Sequence, residues 1–256
     1  MLNDDQVNAK LNMEIDLIPV GSSNRPGAKI TPSFITIHNT SNADAGADAR
    51  MHASYLKGAD ARRRKVSWHF TVDDRRCIRQ LPTNELAWHA GNGNSKSIGI
   101  EICEHKGMDQ DSALDRAALL TAVMMRALGV APSNIVPHHF WTGKDCPHVL
   151  LRLTGGFDAF RTRASKYLDE LNAGGATIAS TDDVGGTSDT GTSTGDETPP
   201  GEFGFAPNAA QPSGGTGSTD PDDVADLERL VGRLALENYR LRRRMDAAQN
   251  DMNEAS

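Results

Sequence analysis

The amino-acid sequence predicts an α/β domain over residues 30–172, and three stretches carry that prediction. "SIGIEIC", residues 97–103, is a nearly continuous apolar run, the pattern of a strand covered on both faces. "DSALDRAALLTAVMMRALG", residues 111–129, repeats apolar side chains at helical spacing and ends on a glycine. "SFITIH", residues 33–38, is a short β-rich run that ends on a histidine.

Each element follows in chain order. Residues 1–29 read as an N-terminal segment outside the domain. After the strand ending at His38, "ADARMHASYLKG" suits a helix closed by Gly58. "VSWHFTVDDRRCIRQL" reads as a hairpin with Asp73 and Asp74 near its turn. The helix over 111–129 takes Asp111 or Ser112 as its N-cap, with Gly129 just past its end. "FDAFRTRASKYLDELNAG" closes the domain as a last helix.

Residues 173–222 are dominated by Gly, Ser, Thr, Asp and Pro, with eight acidic residues and neither Lys nor Arg. Such a stretch buries too little apolar surface to offset its ordering entropy, so it is expected to be a disordered linker. An extended loop packed on the domain is the alternative. The linker also accounts for the formal charge of −7, since the rest of the chain is close to neutral. No basic stripe suggests nucleic-acid binding. From Val224 the pattern changes: Val224, Leu227, Val231, Leu234, Asn238, Leu241 and Met245 recur with a heptad period. That predicts an amphipathic helix over 223–250, paired as a parallel homodimer with Asn238 fixing register and Glu237 reaching Arg242. A single helix docking on the domain or on the cell envelope, through Arg240, Arg242, Arg243 and Arg244, is the other reading.

The N-terminus, "MLNDDQVNAKLNMEIDLIPV", is acidic and lacks the apolar run of a signal peptide, and no stretch has the ~20 apolar residues of a membrane span. Three scattered cysteines, Cys77, Cys103 and Cys146, argue against a disulfide framework. A reducing cytosol is therefore the expected starting place. Cys77 and Cys103 sit in apolar strands and read as small core residues.

The densest chemistry lies in "PHHFWTGKDCPH", residues 137–148. A structural zinc site needs four closed ligands, usually in paired short spacings, and the cysteines are too scattered for that. A catalytic site needs three protein ligands and one open position. His38, one of His138 and His139, and Cys146 supply that count. His52 and His105, in polar surroundings, read as structural. His148 is a candidate to orient a ligand. Glu101 is the single charged residue inside the apolar "SIGIEIC" strand, a costly place unless it is used or paired. Glu101 is therefore the best candidate for a base, with a buried salt bridge as the alternative; for Lys144 taken alone the alternative is a solvated loop lysine.

"TIHNT", "SWHFTVDD", "AWHAGNGNSKSIGIEI" and "HHFWTGKDCPH" occur in an order and spacing that resemble the zinc-dependent N-acetylmuramoyl-L-alanine amidases of type 2, with the peptidoglycan-recognition-protein fold. Phage endolysins and bacillus-type autolysins are the most similar branch. The likeness spans about residues 30–160. It implies a central mixed β-sheet flanked by helices, followed here by the linker and the C-terminal helix.

The resemblance further implies a zinc ion on His38, His138 and Cys146; the place of Trp141 and Cys146 in the motif selects His138 over His139. It implies cleavage of the amide bond between N-acetylmuramic acid and L-alanine of the peptidoglycan stem peptide. Zinc lowers the pKa of water to about 7 and polarises a carbonyl. Glu101 matches the family's acid/base glutamate. Lys144 matches a lysine that steadies the tetrahedral intermediate. Some relatives carry a catalytic tyrosine where this chain has Trp68, which cannot transfer a proton in that role. Trp68 and His69 then become candidates for cleft lining, with His89, Asn92, Asn94 and Trp141 beside the substrate groove. Relatives that bind peptidoglycan without cutting it typically lack the cysteine ligand, which is present here. Without an export signal, the resemblance points to a phage lysin held in the host cytoplasm until a holin-type, pore-forming partner releases it, rather than to a host autolysin of the same chemistry.

Overall fold

Alternation along the strands decides the two faces of the sheet. In β2 (Phe34–Asn39), Ile35 and Ile37 enter the main apolar cluster. In β5 (Ser97–Ile102), Ile98, Ile100 and Ile102 do the same. Because successive side chains point to opposite faces, Thr36 and His38, with Gly99 and Glu101, belong to the other face. Along β2 and β5 one face is thus committed to the main apolar cluster, and the other carries Thr36, His38, Gly99 and Glu101.

The computed structural model describes residues 2–173. Six strands form one sheet in the order β1-β4-β3-β5-β2-β6. The remaining strands are β1 (Met13–Ile15), β3 (Phe70–Val72), β4 (Cys77–Arg79) and β6 (Ile135–Pro137). Only β3 and β4 pair antiparallel, so the sheet is mixed. This is the expected hairpin, with Asp73 at its turn accepting the backbone N–H groups of Arg75 and Arg76.

On the apolar face α4 (Gln110–Leu128) lies against β2, β3 and β5, and α1 (Asp4–Leu11) and α7 (Gly156–Ala173) pack on α4 and complete the same apolar cluster. On the opposite face, α2 (Ala49–Leu56) packs Ala49 and Ala53 against Ile78 and Cys103, and Leu56 against Trp68 and Leu81. It is followed by α3 (Ala59–Arg64). These helices cover the β3–β4 half and leave the carboxyl ends of β5, β2 and β6 open, the usual place for a ligand crevice in a parallel sheet. Two short helices, α5 (His139–Thr142) and α6 (His148–Arg152), flank Cys146. Cys77 and Cys103 are both buried.

The structure differs from the sequence reading at three places. Residues 4–15 are not an appendage: Asn3 and Gln6 form a capping box for α1, and β1 pairs with β4 at the sheet edge. Gly58 does not close α2; Lys57 is its C-cap, and Gly58, extended at φ −82°, starts α3. Asp109, not Asp111 or Ser112, caps α4, accepting from the Ser112 N–H. Gly129 does end α4, in the left-handed conformation at φ 63°. The linker (173–222) and the C-terminal helix (223–250) lie outside the described residues, apart from Ala173 at the end of α7. Among the described residues no helix is long and apolar enough to cross a membrane.

Candidate metal centre

Strand register sets the site. His38 of β2 stands opposite Glu101 of β5. On its other side, Ile37 pairs with Pro137 of β6, which places His138 next along the same row. The His138 N–H donates to the Ile37 carbonyl at 3.2 Å. Three adjacent strands therefore deliver His138, His38 and Glu101 side by side at their carboxyl ends.

Cys146 arrives from the loop between α5 and α6. Two backbone bonds fix that loop: His139 N–H to the Cys146 carbonyl at 2.9 Å and Cys146 N–H to the Lys144 carbonyl at 2.7 Å. Asn39 ties it to the sheet. Its side-chain oxygen accepts the N–H groups of Val149 and Leu150 at 3.1 and 3.4 Å, and its amide donates to the Ile102 carbonyl. The residue after one candidate ligand thus anchors the helix that follows another.

The candidate ligand atoms of His38, His138 and Cys146 lie within 4.8 Å of one another, and all three residues are buried. His38 Nδ1 is 3.7 Å from Cys146 Sγ and 3.9 Å from Glu101 Oε1. Two buried atoms here have no hydrogen-bond partner, His138 Nδ1 and Glu101 Oε2. Unpaired buried polar atoms are costly, and two of them in one place mark where a ligand belongs. Two imidazoles and a thiolate suit zinc, and three protein ligands leave a coordination position for water.

The electrostatics favour uncharged side chains. Burial lowers His38 well below its usual range, helped by His89, His138 and Lys144. Burial, then Lys144, brings His138 down to about 4. Burial pushes Cys146 up to about 12, with Glu101 adding to it. Burial lifts Glu101 to about 8, opposed by Lys144 and aided by Glu104. Neutral imidazoles are ready metal donors. A dication set among these groups would draw the proton from the thiol.

This geometry sits within a segment, residues 28–149, that matches the N-acetylmuramoyl-L-alanine amidase family. The solved catalytic domain of XlyA superposes with a TM-score of 0.57 and 46% identity, covering 60% of this chain and 99% of that one. The chain belongs to the N-acetylmuramoyl-L-alanine amidase family. A mutant endolysin from Bacillus subtilis matches at 44% identity and a TM-score of 0.57, over 60% of this chain and 99% of that one. Two full-length relatives from Bacillus subtilis (strain 168) are the N-acetylmuramoyl-L-alanine amidases XlyA, 47% identical over 58% of this chain, and CwlH, 45% identical over 53%. The chain spans about half of their lengths, 50% and 55%.

In this amidase-family domain the site opens into a cleft of about 600 Å³. His38, Glu101, His138, Lys144 and Cys146 lie on its lining, Lys144 on an exposed stretch at the rim. Of the candidates for substrate contact, Trp68 and His89 also line it. The other four stand elsewhere. His69 is fully buried, with Nε2 2.8 Å from the Glu85 carbonyl and Nδ1 accepting the Gly99 N–H at 3.0 Å. Backbone claims both of its nitrogens, so it is a structural histidine and not a lining one. Asn94 folds back on its own loop, accepting the N–H groups of His89 and Ala90 at 2.9 and 2.7 Å. Asn92 is exposed on that loop, away from the cleft lining. Trp141 packs edge-on against Phe34 and donates its indole N–H to Thr36 at 2.9 Å. It anchors α5 rather than lining the cleft.

His139 is exposed and turned toward the Lys144 carbonyl, away from the ligand cluster. His148 stands 3.3 Å from Glu104, not against a candidate ligand. The sequence reading missed part of the far wall of the cleft: His52, Tyr55, Arg64 and Trp88. His52 and Tyr55 are three apart on α2, one helical face, which was the available signal. Their role depends on which way α2 docks, and the sequence does not state that.

Proposed function

We propose that this chain hydrolyses the amide bond joining N-acetylmuramic acid to L-alanine in peptidoglycan, with zinc held by His38, His138 and Cys146. The observation that carries the reading is the convergence of these three side chains beside Glu101 at the base of an open cleft. Bound there, zinc supplies the positive charge that acidifies water and polarises a carbonyl.

The chain's own residues supply the rest. Glu101, beside His38, takes the proton of the attacking water and returns it to the leaving amine. Its place 3.9 Å from His38, on the lining of the cleft, suits that role. Lys144 at the rim offers an ammonium to the negative charge that develops on the carbonyl oxygen. Tyr55, Trp68 and Trp88 give the cleft a wall of flat apolar faces, with Tyr55 and Trp68 stacked at 6.3 Å. A homodimer through 223–250 completes this reading and rests on the heptad spacing of Val224, Leu227, Val231 and Leu234.

Mass spectrometry of peptidoglycan digested by the purified chain tests it. Released stem peptides with a free L-alanine amino group are expected. New reducing sugar ends, or cuts within the peptide, would refute the bond assignment. Cys146→Ser should abolish cleavage, and unchanged wall lysis would sink the zinc assignment.

A further inference from the structure

We propose that His89 is a positioning residue for His38, holding its imidazole in the tautomer and orientation that leave Nδ1 free to bind metal. The proposal rests on the zinc reading above and assigns His89 a role other than touching substrate.

The two nitrogens of His38 face different surroundings. Nδ1 looks toward Cys146 Sγ and Glu101, and Nε2 lies 3.0 Å from His89 Nδ1. A nitrogen that binds metal must present its lone pair, so the single proton of a neutral His38 sits on Nε2. It donates to His89 Nδ1, which must then be unprotonated. The His89 proton moves to Nε2, which faces the Ser97 carbonyl at 3.4 Å. One tautomer of each ring thus satisfies every contact, and the relay ends on the backbone of β5. Ligating histidines commonly give their second N–H to a carboxylate, carbonyl or water; here a neutral imidazole takes that place.

The surrounding chain holds His89 in position. A β-carbon at position 99 would come within 2.7 Å of its ring, so glycine alone leaves room. Asn94 clamps the His89 backbone N–H, and the ring meets His69 edge-on at 5.9 Å. Asn94 and Gly99 thus hold this imidazole toward His38.

Zinc titration against a competing chelator tests this on the full chain, comparing wild type, His89→Ala and His89→Gln. The dissociation constant of His89→Ala should rise about 10- to 100-fold. His89→Gln, whose amide oxygen can accept the His38 proton, should recover part of that loss, as should free imidazole added to His89→Ala. Cobalt substituted for zinc should show an altered visible spectrum in His89→Ala that His89→Gln partly restores. KM on peptidoglycan should change little. His89→Ala binding zinc like wild type, with only KM raised, would overturn the proposal and make His89 a substrate contact. Equal losses in both variants would overturn it too, as the mark of a space-filling role. Wild-type chain that takes up no zinc would sink the metal reading itself, a result distinct from either.

Discussion

Gly99 lies directly beneath the imidazole of His89: a β-carbon there would stand 2.7 Å from Nδ1 and 2.8 Å from Cγ. Real β-carbons do not approach so closely, so Gly99→Ala must push the ring aside. The strand itself tolerates alanine, and overpacking of this kind costs about 1–3 kcal/mol. Zinc affinity should fall as well, because the displaced ring no longer meets His38 Nε2. Thermal melting and zinc titration of the same variant check both effects. Undiminished zinc affinity would show that His89 can move without consequence for His38.

Glu101→Gln separates metal binding from proton transfer. The glutamine keeps the shape and polarity of a side chain standing 3.9 Å from His38 but cannot carry the proton. Turnover should fall about 10²- to 10⁴-fold, the usual contribution of a positioned acid or base. Bound zinc, measured by elemental analysis, should stay at the wild-type ratio. Turnover within a few-fold of wild type would remove Glu101 from the mechanism.

Trp68-His69 and Trp88-His89 look alike in sequence and end differently. Both pairs sit in short apolar surroundings, and neither local pattern says which imidazole meets His38. His69 falls at the head of β3, where the Gly99 N–H and the Glu85 carbonyl take its nitrogens; His89 falls on a loop opposite His38. Register across the sheet, a tertiary fact, decided between them. By contrast β2, β5 and α4 were legible because each buries one or both faces and writes that burial into its own periodicity. β1 was not legible: it has three residues, and the strand that pairs with it begins at Cys77. His38, His138 and Cys146 stood out through the order of several motifs. Tyr55 and Arg64 of the far wall lie outside those motifs, and Trp88, inside "AWHAGNGN", carries no chemistry of its own that would single it out.

Arg25 and Glu85 form a bidentate pair. Nε donates to Oε2 at 2.8 Å and Nη2 to Oε1 at 3.0 Å, while Nη1 donates to the Ile18 carbonyl. The side chains are only 9% and 10% exposed. The guanidinium holds the Glu85 carboxyl below its ordinary range. Arg25→Met leaves that carboxylate buried with only Lys29 nearby, and should cost about 3 kcal/mol in urea unfolding. Arg25→Met combined with Glu85→Leu should recover much of the loss, since no buried charge remains. A single variant as stable as wild type would show that the pair contributes little.

His52 makes stability depend on pH. It is buried, its Nε2 has no hydrogen-bond partner, and its ring packs edge-on against Trp68. Burial brings its pKa down to about 4 from an ordinary 6.5, with His105 adding to that and Asp48 opposing it. Above the unfolded value neither state holds the proton, and the full stability is present. As pH falls from 6.5 toward 4, the unfolded chain takes up a proton that the folded one refuses, and stability drops. The loss amounts to about 3 kcal/mol and ends once the folded state is protonated too. Other histidines titrate in this window, so the measurement is a difference: urea unfolding of wild type and His52→Gln at pH 7 and at pH 4.5. Wild type should lose the larger amount on acidification. Equal losses in the two proteins would show that His52 takes up its proton as readily in the fold as outside it.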